Sequence, residues 1–275
     1  RGNEDFALGG SLAAFARLPF EPEVVNLHNL HTFLGGTHFD LRTLPNVARR
    51  SRLVFTLQDP WLTTGHCAHS FGCERWRSGC GSCPDLRSFP AVRRDRTARN
   101  LAVKRRIYSS MRYAVAGCCH WIVERARASA FAAGIKRAVV INNGIDLAYF
   151  SPTEDPAACR RAAGVGEGEA AACFISDLGR SSEFRDYAFA ERLALRNGTA
   201  SNSRPLVVFE VGGAPGVRTE GRTRFVGTGV LSREGVRDLI RACDVLLQPY
   251  ADGVTTRRTS LMAGLALGRP LVTNE

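Results

Sequence analysis

The feature that most constrains this chain is an alternation of short apolar, β-branched runs with stretches of helical periodicity, repeated from one end to the other. In the first half the predicted strands are residues 23–27, 53–57, 113–116 and 138–141, with helical pattern over 11–18, 98–109 and 121–133. In the second half strands are predicted at 172–176, 206–211, 223–226, 245–248 and 271–273. Helices fall between them at 184–196, 233–242 and 259–267. The helix after Ser232 carries the clearest signature. A serine stands at the N-cap position, an acid comes next in the first turn, and Val236, Leu239, Ile240 and Cys243 recur at helical spacing. Apolar strands separated by helices predict parallel sheets covered on both faces, an α/β chain of two doubly wound domains.

The seam is predicted within NNGIDLAYFSP (142–152), ahead of a polar, acid-containing stretch and a Gly/Glu-rich segment at 164–169. The expected domains are therefore residues 1–150 and 151–275. Ligands of such folds sit outside the carboxyl ends of the strands. The chain opens on Arg1 and closes just after a predicted strand, so it reads as a fragment missing short pieces at both ends, the first strand of its first domain among them. No run approaches the ~18–20 apolar residues of a membrane span.

The net charge of +11 is unevenly placed: 21 Lys and Arg face 11 Asp and Glu in residues 1–148, against 16 and 15 in residues 149–275. The densest basic stretch is Arg87, Arg93, Arg94, Arg96, Arg99, Lys104, Arg105, Arg106 and Arg112, opposed only by Asp95. It reads as a solvated helix face, as a surface for anionic lipid headgroups, or as a nucleic-acid contact.

Nine cysteines, an odd number, argue against a fully paired disulfide scaffold. Cys118, Cys119, Cys159, Cys173 and Cys243 lie in apolar runs and are expected as buried small residues. Cys67, Cys73, Cys80 and Cys83 cluster beside His66 and His69. Cys80 and Cys83 have chelate spacing, whereas Cys67 and Cys73 are separated by five residues. Structural zinc, reduced thiols and one or two disulfides all remain open for this cluster. Trp61, Trp76 and Trp121 are expected to pack.

Several stretches, in order and nearly end to end, resemble the bacterial cell-envelope and exopolysaccharide subgroup of the family 4 glycosyltransferases. They are VVNLHNLH (24–31), FTLQDPWLTTGHCAHSFGCERWRSGCGSCPDL (55–86), KRRIY (104–108), VINNGIDLAYFSP (140–152), SEFRDY (182–187), ACDVLLQPY (242–250) and GLALGRPLVT (264–273). The resemblance implies the GT-B fold, two Rossmann-like domains facing across a cleft. The first would handle a glycan or lipid-linked acceptor and the second a nucleoside diphosphate sugar. It further implies retention of anomeric configuration, no catalytic metal, and a place in the cytoplasm or at the inner face of the cytoplasmic membrane. Without a metal, cationic side chains and helix N-termini must stabilise the leaving diphosphate.

On this resemblance Arg180 and Arg185 fall where a cationic pair holds the donor diphosphate, with Arg185 in place of the usual lysine. The turn ADGVTTRRTS (251–260) precedes a predicted helix, a setting that binds anions through backbone N–H groups. Gly253, Thr255, Arg257, Arg258, Thr259 and Ser260 are its donor-binding candidates; the plainer alternative is a polar loop with a Thr or Ser N-cap. Asp252 stands for the first of two glutamates common in the family, and neither Ala263 nor Ser260 supplies the second. Gln58 replaces a usual histidine before Asp59; it can exchange hydrogen bonds but cannot titrate. Gln58, Asp59, Asp252 and His31 are the expected sugar or acceptor contacts. His28, Asn29 and His31 end an apolar strand and are placed at the binding edge.

Two other readings compete. A transferase-like binding subunit without catalysis would accommodate the missing histidine and glutamate. A basic, zinc-containing nucleic-acid-binding protein would rest on the cysteines and arginines alone, and a nucleic-acid partner is not expected.

Overall fold

The computed structural model describes residues 15, 17–31, 40–153, 155–175, 186–199, 204–251 and 253–274. The chain divides into two compact units, Arg1–Asn142 and Asn143–Glu275. The division precedes the expected boundary because the segment just after Asn142 packs with the second half of the chain. Phe150 joins the core of the second unit, and Arg241 donates to the Ser151 carbonyl at 2.6 Å.

In the first unit β1 (Val24–His28), β2 (Arg52–Leu57), β3 (Tyr113–Gly117) and β4 (Ile135–Val140) form one sheet in sequence order, parallel throughout. Parallel neighbours require crossovers. These carry α1 (Leu44–Val47), then α2 (Arg75–Ser78) and α3 (Thr97–Ser109), then α4 (His120–Ala128). The core centres on Phe55, Tyr108, Tyr113 and Phe131, whose rings meet edge-on at 4.7 Å (Tyr108–Phe131), 4.9 Å (Phe55–Tyr113) and 5.2 Å (Phe55–Phe131). Helix α4 lies so close to β3 that a Cβ on Gly117 would fall 2.4 Å from the Val123 side chain. The helix predicted over 121–133 is interrupted. Ser129 adopts extended backbone, accepts a hydrogen bond from Phe131 N, and starts a separate 3-10 turn at Ala130–Gly134. The helix predicted at 11–18 lies mostly outside the described residues.

In the second unit six strands run in the order β10-β9-β5-β6-β8-β7. They are β5 (Ala170–Ile175), β6 (Leu206–Val211), β7 (Gly216–Glu220), β8 (Thr223–Gly229), β9 (Val245–Leu247) and β10 (Leu271–Val272). All neighbours are parallel except the β7–β8 hairpin. The connections carry α5 (Pro156–Ala162), α6 (Tyr187–Thr199), α7 (Arg233–Ala242) and α8 (Thr259–Ala266). Alternate residues of one strand feed two cores. Ala171 and Cys173 of β5, with Val207 and Phe209 of β6, join Leu239 and Ile240 of α7. Ala172, Phe174 and Val208 pack on the other face with Ala190 and Ala194 of α6. Both faces are covered, as near-continuous apolar strands demand. Ser232 caps α7, accepting from Gly235 N at 3.1 Å. Strand β7 has no counterpart among the predicted strands, because every residue in it is exposed and it carries no apolar alternation.

Candidate functional site

The first unit presents a polar site where β1 and β2 end. Asn29 comes directly after β1 with φ +36°, a left-handed turn that asparagine tolerates. The turn leaves His28 and Asn29 exposed and directs His31 inward. His31 Nε2 lies 2.8 Å from Asp59 Oδ2, the two side chains 9% and 18% exposed. A carboxylate only accepts, so Nε2 carries the proton. Asp59 Oδ1 also accepts from Trp61 N at 2.9 Å. The imidazole is wedged between Trp61 and Phe89, at ring-centroid distances of 5.5 and 5.6 Å. His31 Nδ1 is buried and has no hydrogen-bond partner among the described residues. Gln58 sits half-buried beside Asp59 at the strand end.

The loop after Asp59 is buried, so its backbone carbonyls need protein partners. Helix α3 supplies them. Lys104 Nζ donates to the carbonyls of Trp61 (2.9 Å) and Thr64 (3.0 Å), and stands 3.6 Å over the Trp61 ring. Tyr108 Oη bonds the Leu62 carbonyl at 2.9 Å, and Asn100 Nδ2 the Gly65 carbonyl at 2.9 Å. Gly65 passes so close to the start of α3 that a Cβ would meet Thr97 O at 2.4 Å. Lys104 is therefore a fully buried structural cation, not part of the basic surface. Arg87, Arg93, Arg94, Arg96, Arg99, Arg105, Arg106 and Arg112 are exposed.

Trp61 and Trp76 are buried, as packing residues should be. Arg125 inserts between Trp76 and Trp121, its guanidinium 4.1 and 5.5 Å from their rings, and its Nε donates to Thr63 Oγ1. Desolvation lowers this guanidinium to a pKa of about 10. The four clustered cysteines are free thiols, each half-buried, and with His66 they line one small cavity. Burial pushes Cys67 up to about 11. It also pulls His66 below the ordinary imidazole range. Of the other five cysteines four are buried, while Cys159 is only half so.

The second unit carries an open cavity of about 530 Å³. One wall is the turn Gly144–Ile145–Asp146 with Phe150; another is the start of α8, with Arg257, Arg258, Thr259, Ser260 and Ala263. Ile175 at the end of β5 and Arg233 at the start of α7 complete it with Val236 and Tyr250. Among the described residues the lining thus holds three guanidiniums and one carboxylate, with Arg233 4.0 Å from Asp146. Arg233 also stacks on Tyr149 at 3.9 Å, which fixes its head group at the rim. The N-cap of α8 is Arg258, and no side chain among the described residues caps the helix, in contrast to a Thr or Ser N-cap. An uncapped N-terminus presents N–H groups and the positive end of the helix dipole. Beneath it Gln248 Oε1 accepts from Tyr250 Oη (2.8 Å) and Ser260 Oγ (2.9 Å). Arg258 lies 4.2 Å over the Tyr250 ring.

The structure therefore gathers Arg257, Arg258, Thr259 and Ser260 in one wall. Gly253 and Thr255 do not line the cavity. Gly253, at φ +77°, donates to the Tyr250 carbonyl and shapes the turn leading in. Thr255 Oγ1 is buried without a hydrogen-bond partner among the described residues. Arg180, Arg185 and Asp252 lie outside the described residues. Arg233, Asp146 and Phe150 join the site without having been expected there. The NGID motif and the predicted start of α7 are the sequence signals for them, and by themselves these read as a domain seam and a helix end.

No family model matches the chain. It is 36% identical over 132 residues, 46% of its own length, to a putative colanic acid biosynthesis glycosyl transferase, WcaC, of Escherichia coli K12. That match spans 32% of the relative. Among solved structures it superposes on Anabaena Alr3699/HepE in complex with UDP and glucose, with TM-score 0.51 and 17% identity, covering 91% of this chain and 58% of the other. A sucrose-phosphate synthase from Thermosynechococcus elongatus gives TM-score 0.52 and 15% identity, covering 95% and 58%. At these identities the structural likeness establishes the fold, which is GT-B, while the sequence match places the chain near a bacterial glycosyl transferase.

Proposed function

We propose, from a GT-B fold with sequence similarity to a bacterial glycosyl transferase, that this chain binds a nucleoside diphosphate sugar and transfers its glycosyl unit to a glycan or lipid-linked acceptor. The observation that carries the reading is the cavity of the second unit, which is lined by Arg233 of α7 as well as by Arg257, Arg258 and the start of α8. Guanidiniums and helix N-termini are the groups that neutralise a departing diphosphate in the absence of a metal. The chemistry requires that the C–O bond between the sugar's anomeric carbon and the diphosphate breaks, the electron pair leaving with phosphate oxygen, while the acceptor hydroxyl oxygen bonds that carbon and its proton passes to the departing diphosphate. Stabilising that oxygen is the main task of the cationic lining, a role that needs no metal; retention of configuration enters the reading from the resemblance to family 4 glycosyltransferases.

In this reading the second unit holds the donor, with Arg180 and Arg185 adding charge to the diphosphate and Asp252 meeting the sugar. The first unit receives the acceptor. His31, held by Asp59, presents a fixed polar edge to it, and Gln58 offers hydrogen bonds to the transferred sugar. Transfer of a hexosyl unit fits the open volume of about 530 Å³. The exposed arginines of the first unit support contact with an anionic membrane surface, such as the inner face of the cytoplasmic membrane. Among the described residues no helix is long and apolar enough to cross a membrane.

The test is turnover. Incubating the protein with UDP- and GDP-hexoses and an envelope glycan acceptor should release nucleoside diphosphate. His31→Ala should lower kcat by about tenfold to a hundredfold, as loss of a positioned hydrogen-bonding group does. Binding of a donor without release of nucleotide under any of these conditions would sink the transferase reading and leave a binding subunit.

A further inference from the structure

We propose that Cys80, Cys83 and His66, with a further thiolate from Cys67 or Cys73, form a structural zinc site that clamps the loop behind the His31–Asp59 pair. This inference is independent of the transferase reading, since it concerns only how the first unit is held together.

All four thiols and His66 line a single small cavity. The most informative contact in it is Cys83 Sγ to His66 Nε2, at 3.4 Å. Zinc–sulfur and zinc–nitrogen bonds of about 2.3 and 2.0 Å at a tetrahedral angle place the two ligand atoms roughly 3.5 Å apart. The pair thus already has the spacing of two ligands on one ion. The tautomer is also right. His66 Nδ1 lies 3.1 Å from the Pro90 carbonyl, which can only accept, so in the neutral ring Nδ1 carries the proton and Nε2 is left on the side of Cys83, whose thiol also reaches the Asp85 carbonyl at 3.4 Å. A ligating histidine anchored through its other ring nitrogen is the usual outer-shell arrangement of zinc sites. His66 is 2% exposed, so this imidazole is aimed into the protein and not at solvent.

The backbone between the two chelating cysteines is held in a demanding conformation. Cys80, Gly81 and Ser82 have φ of +60°, +87° and +45°, two of them non-glycine residues in the left-handed region. Such strain persists where the surroundings over-determine it, as around ligand clamps. The surroundings are present: Gly81 N donates to Thr97 Oγ1 at 2.9 Å, and Cys83 N to Asp95 Oδ2 at 2.7 Å. A site with three thiolates on a divalent ion carries net negative charge, and the neighbourhood offers cations. Arg125 interacts electrostatically with Cys67 and Cys73, and Lys104 with Cys80. Mixed sulfur and imidazole ligation in a tetrahedron selects zinc over harder ions.

As the side chains stand, no three His, Cys, Asp or Glu among the described residues are closed up enough to hold an ion. Binding draws the thiols inward by side-chain rotation, each cysteine releasing its proton to solvent as its sulfur bonds to the metal. The clamped loop runs from Trp61 to Phe89, the two rings that grip His31.

Elemental analysis of the full-length protein, purified from zinc-supplemented cells without chelator, should find about one zinc per chain, retained through gel filtration. Cys80→Ser with Cys83→Ser should abolish it. Because that variant can misfold, two further readouts use folded protein. Cobalt loaded into the chelator-stripped wild type should show thiolate-to-cobalt charge transfer with tetrahedral d–d bands. His66→Cys should keep zinc while His66→Ala retains several-fold less. Absence of zinc and of cobalt thiolate bands, with four titratable thiols or a Cys80–Cys83 disulfide by intact mass, overturns the proposal.

Discussion

Each unit has its own sheet, parallel but for the β7–β8 hairpin of the second, and the two treat the carboxyl ends of their strands in opposite ways. In the first, the loops after β1 and β2 are tied down by the protein itself. Asp59 holds His31, and Lys104, Tyr108 and Asn100 reach from α3 to the carbonyls of residues 61–65. In the second, the strands end at an open cavity whose wall carries guanidiniums in excess over carboxylates. A site whose loop carbonyls and Asp59–His31 pair are held by the protein presents a rigid edge, with His31 Nδ1 left without a partner among the described residues. A cationic wall around an uncapped helix keeps its favourable electrostatics for an anionic ligand. On the proposed function, the contrast is that between an acceptor platform and a donor receptor.

Substitutions should break this contrast in a graded order. The largest effect belongs to Lys104→Met, which takes the lysine donor from the Thr64 carbonyl and leaves the Trp61 carbonyl only its contacts with Thr64 N and Oγ1. With one buried carbonyl orphaned at ~1–3 kcal/mol and a charged hydrogen bond to a second one lost at ~1.5–3 kcal/mol, the first unit should lose about 3 kcal/mol, read from urea unfolding. Next is Arg257→Ala. Loss of a charged hydrogen bond, about 1.5–3 kcal/mol, should weaken UDP binding by roughly tenfold to a hundredfold and leave the unfolding midpoint nearly in place. A large fall in stability there would mean that Arg257 serves the fold and not the ligand.

Glu169 offers a smaller, pH-dependent effect in the second unit. Burial alone would raise its pKa, yet the Arg224 guanidinium at 2.8 Å and the Gly166 N–H hold it below the ordinary 4.5. A carboxyl with a depressed folded pKa contributes stability that is fully present above the unfolded value. That contribution is lost as pH falls through the folded one. Glu169→Gln should therefore cost about 1 kcal/mol at pH 7 and less below pH ~4, as measured by thermal unfolding across pH. Ser232→Ala is the mildest. Removing the cap of α7 should cost about 1 kcal/mol or less, and Ser232→Asp should restore it.

Much of the fold is legible in the sequence because packing is written locally. The apolar runs of β5 and β6 and the spacing of Val236, Leu239 and Ile240 state which faces are buried, and Ser232 states where α7 begins. Strand β7 is illegible because its side chains are all exposed, and its cross-strand contact, the Arg218 guanidinium 3.8 Å over the Phe225 ring, comes from a residue that reads as surface charge. The site is legible only in part. The turn before α8 announces a helix start rich in cationic and hydroxyl groups, and Arg257 and Arg258 do reach the cavity. Lys104 sits in a run of arginines that reads as basic surface, because a sequence does not reveal that a lysine will meet two carbonyls and a tryptophan face. Arg233 is hidden for the converse reason. Nothing near it in sequence shows that a helix start will close a cavity whose other walls lie at residues 144–150 and 257–263.

The most direct test is calorimetric titration of UDP into the intact protein and into the Arg257→Ala/Arg258→Ala double variant. Saturable one-to-one binding by the parent, weakened at least tenfold in the variant at unchanged thermal stability, is the expected result. Equal affinity in both proteins, or no heat of binding in the parent with UDP or GDP, would contradict the assignment of the cavity as a nucleotide receptor.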